Sequence, residues 1–204
     1  MLEKVERVLK ALKRNNFEAC YVETEKEALA EVLRRIPPET PVGVGGSLTI
    51  NQLGIVEALS ERGNPVYNHS GAANPAEMEE IRRQANNCDL YLTGINALTE
   101  DGQLVNVDGR GNRVAALAYG PAKVIAVCGT NKIVKDYNEA IDRIKNVAAP
   151  ANAKRLNYDT PCVKTGRCED CSSKQRICNI ILVLQKQPFK KEIAVILVGR
   201  ELGF

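Results

Sequence analysis

The 204-residue sequence predicts an α/β fold, a mostly parallel sheet with helices on both faces, with a cysteine-rich insertion near the C-terminus. Three observations predict it. Strand-like and helix-like segments alternate along most of the chain. The longest apolar runs, IILVL and IAVILVG, are strand-sized and far short of a membrane span. Internal repeats, low-complexity tracts and linkers are absent, so residues 1–204 read as a single domain. Within it, 1–40 is an N-terminal helical segment and 158–180 the cysteine-rich insertion.

The opening MLEKVERVLKALKRNN reads as a charged amphipathic helix with apolar Leu2, Val5, Val8, Leu9 and Leu12. EACYVET is a short strand, and the helix EKEALAEVLRRI stops before Pro37-Pro38. PVGVGG is a buried strand entering a glycine turn. Residues 47–63 have helical spacing and end at Gly63, a C-terminal cap. NPVYNHS is a short strand. NPAEMEEIRRQANN is a helix with Asn74 as N-cap and Pro75 at its first position. CDLYLTGINALTEDGQLVNVD reads as strand, loop and strand, turning at Asp101-Gly102. AKVIAVCGTNKIV is a further strand and DYNEAIDRIKNVAAPANAKRL a long helix. NIILVLQKQ and KEIAVILVGREL are two strands separated by a turn around Pro188.

Composition narrows the function. The chain is 44% hydrophobic and 26% charged, an ordinary globular balance. A net charge of +3 without a basic cluster, and an aromatic content of 4%, argue against nucleic-acid binding. The N-terminus lacks a signal peptide's apolar core and no segment spans a membrane, so the expected location is cytoplasmic. In a reducing cytosol the seven cysteines are not expected to form structural disulfides.

In VGVGGSLTINQLG, glycines 43, 45 and 46 lie between a strand and a helix, followed by Ser47 and Thr49. Glycines admit a ligand close to the backbone, and a helix N-terminus favours an anion. The turn matches neither G-x-G-x-x-G nor a P-loop. A tight turn with Ser47 as helix cap explains the same residues. Residues 96–113 gather Asn96, Thr99, Glu100, Asp101, Asn106, Asp108, Arg110, Asn112 and Arg113 between strands. Loops at strand carboxyl ends build active sites in such folds. Glu100, Asp101 or Asp108 would serve as base or nucleophile, and Arg113 would grip a carboxylate or phosphate. Plain turn chemistry is the competing account. The lone His69 reads as structural, and no serine-protease triad is supported.

Cys162, Cys168, Cys171 and Cys178 form C-x5-C-x2-C-x6-C, surrounded by Lys164, Arg167, Lys174 and Arg176. Zinc and an iron–sulfur cluster both suit such thiolates. A redox dithiol at Cys168/Cys171, a partner-facing thiol patch and simple packing are the alternatives. Cys20, Cys88 and Cys128 read as core residues.

The stretches VGVGGSLTINQLGIVEAL, YLTGINALTEDGQLVNVDGRGNRVAALAYGPAKVIAVCGTNKIV and TPCVKTGRCEDCSSKQRICN resemble the lactate utilization protein (LUD domain) family, from about Pro41 to the C-terminus. The resemblance implies the fold of ribose-5-phosphate isomerase, glucosamine-6-phosphate deaminase and CoA transferases. It implies an anion site, phosphate or CoA-like, lined by Gly45, Gly46, Ser47 and Thr49. Asn96, Glu100, Asp108, Asn112 and Arg113 would face it, with Glu100, Asp108 and Arg113 as catalytic candidates. It implies small organic-acid utilization alongside iron–sulfur oxidoreductase subunits, and tilts the four-cysteine loop towards iron–sulfur over zinc. The ferredoxin run C-x2-C-x2-C-x3-C-P is missing from this chain. A non-catalytic accessory module for such partners, and a phosphosugar isomerase, are the alternative functions. The expected partners are a small anionic metabolite and, within the same reading, a further copy of the chain.

Overall fold

The computed structural model describes residues 2–204; Met1 and the side chain of Leu2 lie outside the described residues, so the apolar stripe of the first helix is seen from Val5 onward. Strands β1 (Glu18–Val22), β2 (Val42–Val44), β3 (Val66–Asn68), β4 (Leu90–Gly94), β7 (Lys123–Gly129) and β10 (Glu192–Val198) form one sheet. Its order is β1–β10–β7–β4–β2–β3 and every pairing is parallel. All six carboxyl ends therefore emerge along one edge.

Side-chain alternation on the central strands explains the layers. Tyr91, Val124, Ala126, Cys128, Val195 and Leu197 face one core, while Leu90, Leu92, Ile125, Val127, Ile196 and Val198 face the other. The second face is covered by α2 (Glu25–Arg35), α3 (Leu48–Gln52) and α4 (Ile55–Glu61), through Ala28, Val32, Ile50, Ile55 and Leu59. Thr24 and Glu27 close a capping box on α2. The expected helix over 47–63 is broken into α3 and α4 because Gly54 adopts a left-handed φ of 62°. The first face is covered by α1 (Leu2–Arg14), α5 (Pro75–Asn87) and α6 (Asn112–Ala118). Asn74 caps α5 by accepting from Glu77 N–H, with Pro75 in the first turn.

A second sheet shares that face. The sequence presents residues 97–108 as part of one strand–loop–strand run. In the structure β5 (Ala97–Thr99) and β6 (Leu104–Asp108) leave the main sheet and pair with β8 (Ile133–Val134) and β9 (Ile180–Leu184), in the order β8–β5–β6–β9. The β5–β6 pair is an antiparallel hairpin turning at Gly102, φ 82°. Leu98, Leu104 and Leu184 join the core beneath the main sheet. Ala97, Val105 and Val107 face outward onto Ala140 and Ile144.

Those last residues belong to α7 (Tyr137–Arg143) and a π-helical segment, Ile144–Ala148, which runs into α8 (Ala149–Arg155). Pro150 in the first turn of α8 has no N–H to give the α ladder, a recognised origin of such irregular turns. A loosened carbonyl, that of Lys145, accepts instead from Cys168 N–H at 3.0 Å. The short α9 (Pro161–Thr165) opens the cysteine segment and ends at Gly166, φ 76°.

Candidate functional site

The carboxyl edge of the main sheet carries a cleft of about 330 Å³. The turn after β2 supplies Gly46 and Ser47, the one after β3 supplies His69, α5 supplies Arg82, the end of β6 supplies Asp108, the loop after it Arg110, the first turn of α6 Asn112 and Arg113, and α8 supplies Asn152 and Arg155. Four arginines and one aspartate are its charged lining, and that aspartate is already paired. A smaller inner pocket of about 40 Å³ shares Gly46, Ser47, Arg113 and Asn152 with the cleft and adds Thr49, Asn96, Lys132, Gly203 and Phe204.

Asp108 organises the junction. Its Oδ2 accepts the N–H groups of Arg113 and Val114, both at 2.9 Å, and its Oδ1 lies 3.1 Å from the Arg113 guanidinium. The N-cap of α6 is Gly111, at φ 100° and without a capping side chain, so Asp108 performs that service from three residues back. Arg113 also donates to Asn96 Oδ1 and Val107 O, and Asn96 Oδ1 accepts from Val107 N–H. Asp108 and Asn96 therefore spend their oxygens on positioning Arg113 and the loop.

Two expected site residues sit elsewhere. Glu100 lies on the β5–β6 hairpin, 3.2 Å from Lys4 and 3.4 Å from Arg7 of α1. It does not line the cleft, because it sits in the turn of the hairpin, at the opposite end of β6 from Asp108. Gly45 is buried: its N–H donates to Leu92 O, and an added Cβ would lie 3.0 Å from the Tyr91 hydroxyl. Its small size serves packing on β4, whereas exposed Gly46 faces the cleft. Ser47 Oγ accepts from Ile50 N–H at 3.3 Å as cap of α3, and Thr49 Oγ1 accepts from Lys132 Nζ at 2.9 Å.

The sequence reading passed over Lys132, Arg82, Arg155 and the role of His69. Lys132 lies between β7 and β8, directly after Thr130-Asn131, and is only 4% exposed. Burial, aided by Arg143 and Arg113, pulls its amine down to about 8. Its one signal in sequence is a lysine between two strands. His69 is pushed down to about 4, by burial first and then by Arg82 and Arg110, so it is neutral at physiological pH. Buried polar atoms lacking a hydrogen-bond partner among the described residues are five, and three belong to residues that line this cleft: His69 Nδ1, Arg82 Nε and Arg113 Nε. Such polar atoms are costly to leave unpaired.

A second concavity, about 380 Å³, lies at the opposite, amino edge of the sheet. Its charges are mutually satisfied: Arg35 meets Glu18 at 2.7 Å, and Lys123 meets Glu192 at 3.6 Å.

Cys162, Cys168, Cys171 and Cys178 all carry free thiols and all line one small cavity of about 20 Å³, together with Arg176 and Ile177. Burial raises the Cys178 thiol, with Arg176 opposing. No group of three His, Cys, Asp or Glu among the described residues is assembled to hold a metal ion. Ile177 also lines the larger cleft, so the two cavities share that wall. Asn179 fastens the segment to Asp108 O and Gly109 O. Of the remaining cysteines, Cys88 and Cys128 are buried, and half-buried Cys20 packs beside Glu31 and Arg35.

Fold and site together define a parallel α/β domain with a cationic cleft at the carboxyl edge of its sheet. The chain belongs to the LUD domain family, whose model matches residues 5–198. It is similar in fold to a crystal structure of a DUF162 family protein from Deinococcus radiodurans, with a TM-score of 0.58 at 15% identity over 97% of this chain and 98% of that one. No curated protein matches it. Among the described residues, no helix is long and apolar enough to cross a membrane.

Proposed function

We propose that the protein binds a small anionic metabolite, a carboxylate or phosphorylated acid of the kind handled in organic-acid utilization, in the cleft beside Gly46 and Ser47. The observation that carries this reading is the cationic lining, Arg82, Arg110, Arg113 and Arg155, around a cleft whose one lining carboxylate is already engaged. Arg82 and Arg110 share one carboxylate, Glu79, at 3.3 and 3.5 Å, so a ligand carboxylate or phosphoryl group offsets the charge that remains. Arg82→Met and Arg155→Ala are expected to weaken binding of lactate or ethylphosphonate roughly 10-fold or more, the worth of a charge-assisted hydrogen bond. Calorimetric titration of variants with unchanged melting temperatures checks this. Wild-type affinity in both variants would refute the site.

The shared cavity favours a second function for the cysteine loop. Four soft donors around one space fit zinc or an iron–sulfur cluster in kind, and Arg176 would offset the negative charge. A bound metal would draw the 166–178 loop inward, since the thiols are not yet gathered. Anaerobic titration of the reduced protein with zinc is expected to reach one equivalent and to protect all four thiols from alkylation. Protection of only the Cys168/Cys171 pair would instead indicate a dithiol.

A further inference from the structure

We infer that Lys132 and Thr49 form an inner subsite for a carboxylate, so that the ligand of the cleft is a small acid with two anionic groups. One group, the carboxylate, sits in the inner pocket; the other, phosphoryl or a second carboxylate, is held by the arginines outside. The inference rests on the anion reading of the outer cleft and adds the identity of the ligand's inner end.

The built features are specific. Lys132 is almost wholly buried, yet its ammonium has three donors and one acceptor, Thr49 Oγ1. The charged or titratable groups facing it are Arg113 of α6, Arg143 of α7 and Cys128 of β7, and no carboxylate is among them. Arg143 is committed to Asn96 O and Asn131 O, and Asp108, the nearby acid, is committed to Arg113. A buried cation between two other cations, without an acid, is costly unless an anion completes it. Arg113 Nε, unpartnered, belongs to a residue on the boundary of the two cavities.

Size selects the group. A pocket of about 40 Å³ has room for about three water-sized positions, which matches the three heavy atoms of a carboxylate. The four of a phosphoryl group, one of them the larger phosphorus, exceed it. Its roof is backbone: a Cβ on Gly203 would lie 2.6 Å from Thr49 Oγ1 and 3.0 Å from Lys132 Nζ, and Gly203 is pinned by Gln52 at 2.7 Å. On that side the pocket therefore cannot widen by a side-chain rotation. The outer cleft, about eightfold larger, takes the bulkier group through Arg82, Arg110 and Arg155.

The test compares phosphonoacetate, 3-phosphonopropionate and 4-phosphonobutyrate with alkylphosphonates of matching length, by calorimetric titration at pH 7. In the wild-type protein at least one bifunctional acid is expected to bind about 10-fold tighter than its alkyl counterpart. Lys132→Met is expected to abolish that gain and to leave alkylphosphonate binding within about twofold. Because the substitution removes a buried charge, the variant is expected to fold and to melt no lower than wild type. Raising the pH above about 8 is expected to erode the gain in wild type as the amine loses its proton. The inference is overturned if no bifunctional acid gains, if the gain survives Lys132→Met, or if that variant weakens both ligand classes alike. Failure of alkylphosphonates themselves to bind wild type would instead remove the outer-cleft reading on which this one stands.

Discussion

Asp108→Ala is expected to lower the unfolding free energy by about 3–5 kcal/mol, the range for removing one member of a buried ion pair. For a chain of this length the melting midpoint should fall by roughly 10 °C. The reasoning is local. Asp108 and Arg113 side chains are only 11% and 12% exposed. Loss of the carboxylate strands two α6 N–H groups and leaves the Arg113 charge without its counter-ion, with only Asn96 Oδ1 and Val107 O as acceptors. Gly111 has no side chain to take over the cap. Asp108→Asn keeps the shape and one acceptor, so its loss should be roughly half as large. Urea unfolding of the two variants measures both. A loss under about 1 kcal/mol for Asp108→Ala would mean that the residue is not the anchor of this loop, and would return it to the list of acid–base candidates.

Gly43→Ala should be of similar severity, for a steric reason. A Cβ there would overlap the carbonyl oxygen of Ala85 and lie 2.7 Å from its carbon and 2.8 Å from its Cα. These are backbone atoms of α5, so relief requires moving a helix away from β2. Overpacking of this kind costs about 3 kcal/mol or more. At Gly46 an added Cβ meets only the His69 ring, at 3.4 Å. Gly46→Ala should therefore leave the melting temperature within roughly 2 °C of wild type while narrowing the cleft. Thermal melts of the pair separate the glycine that builds the sheet from the one that faces the ligand. Equal effects would erase the distinction.

That distinction shows what the sequence could and could not convey. Alternating segments and their punctuation were readable because they are local: Asn74-Pro75 starts α5, Gly63 ends α4, and Gly102 turns the hairpin. The second sheet was not, because β8 has two residues and β5 three, and their pairing joins residues far apart in sequence. The glycine turn was visible as a motif, but its division of labour depends on neighbours, Ala85 for Gly43 and Tyr91 for Gly45. Asn96, Asp108, Asn112 and Arg113 fell within one polar stretch and lie together at the cleft or its inner pocket. Glu100 belonged to the same stretch and lies away, because it occupies the turn of the β5–β6 hairpin while Asn96 and Asp108 lie at its open end. Lys132 and Arg155 come from distant elements, and no local pattern advertises that their side chains converge.

The π segment between α7 and α8 has a consequence for rotational phase. Four-residue steps in an α-helix overshoot a full turn by about 40°, so Ala140, Ile144 and Ala148 would drift off the second sheet. A π turn advances only about 80° per residue, so the step across it undershoots and the three stay in file, all buried. Rewound as α-helix, the same five residues would carry α8 about a quarter turn ahead and swing Asn152 and Arg155 off the rim. Dropping one residue at the same time would bring them back. The angular setting of that wall is thus held by a count of residues, whatever their identities.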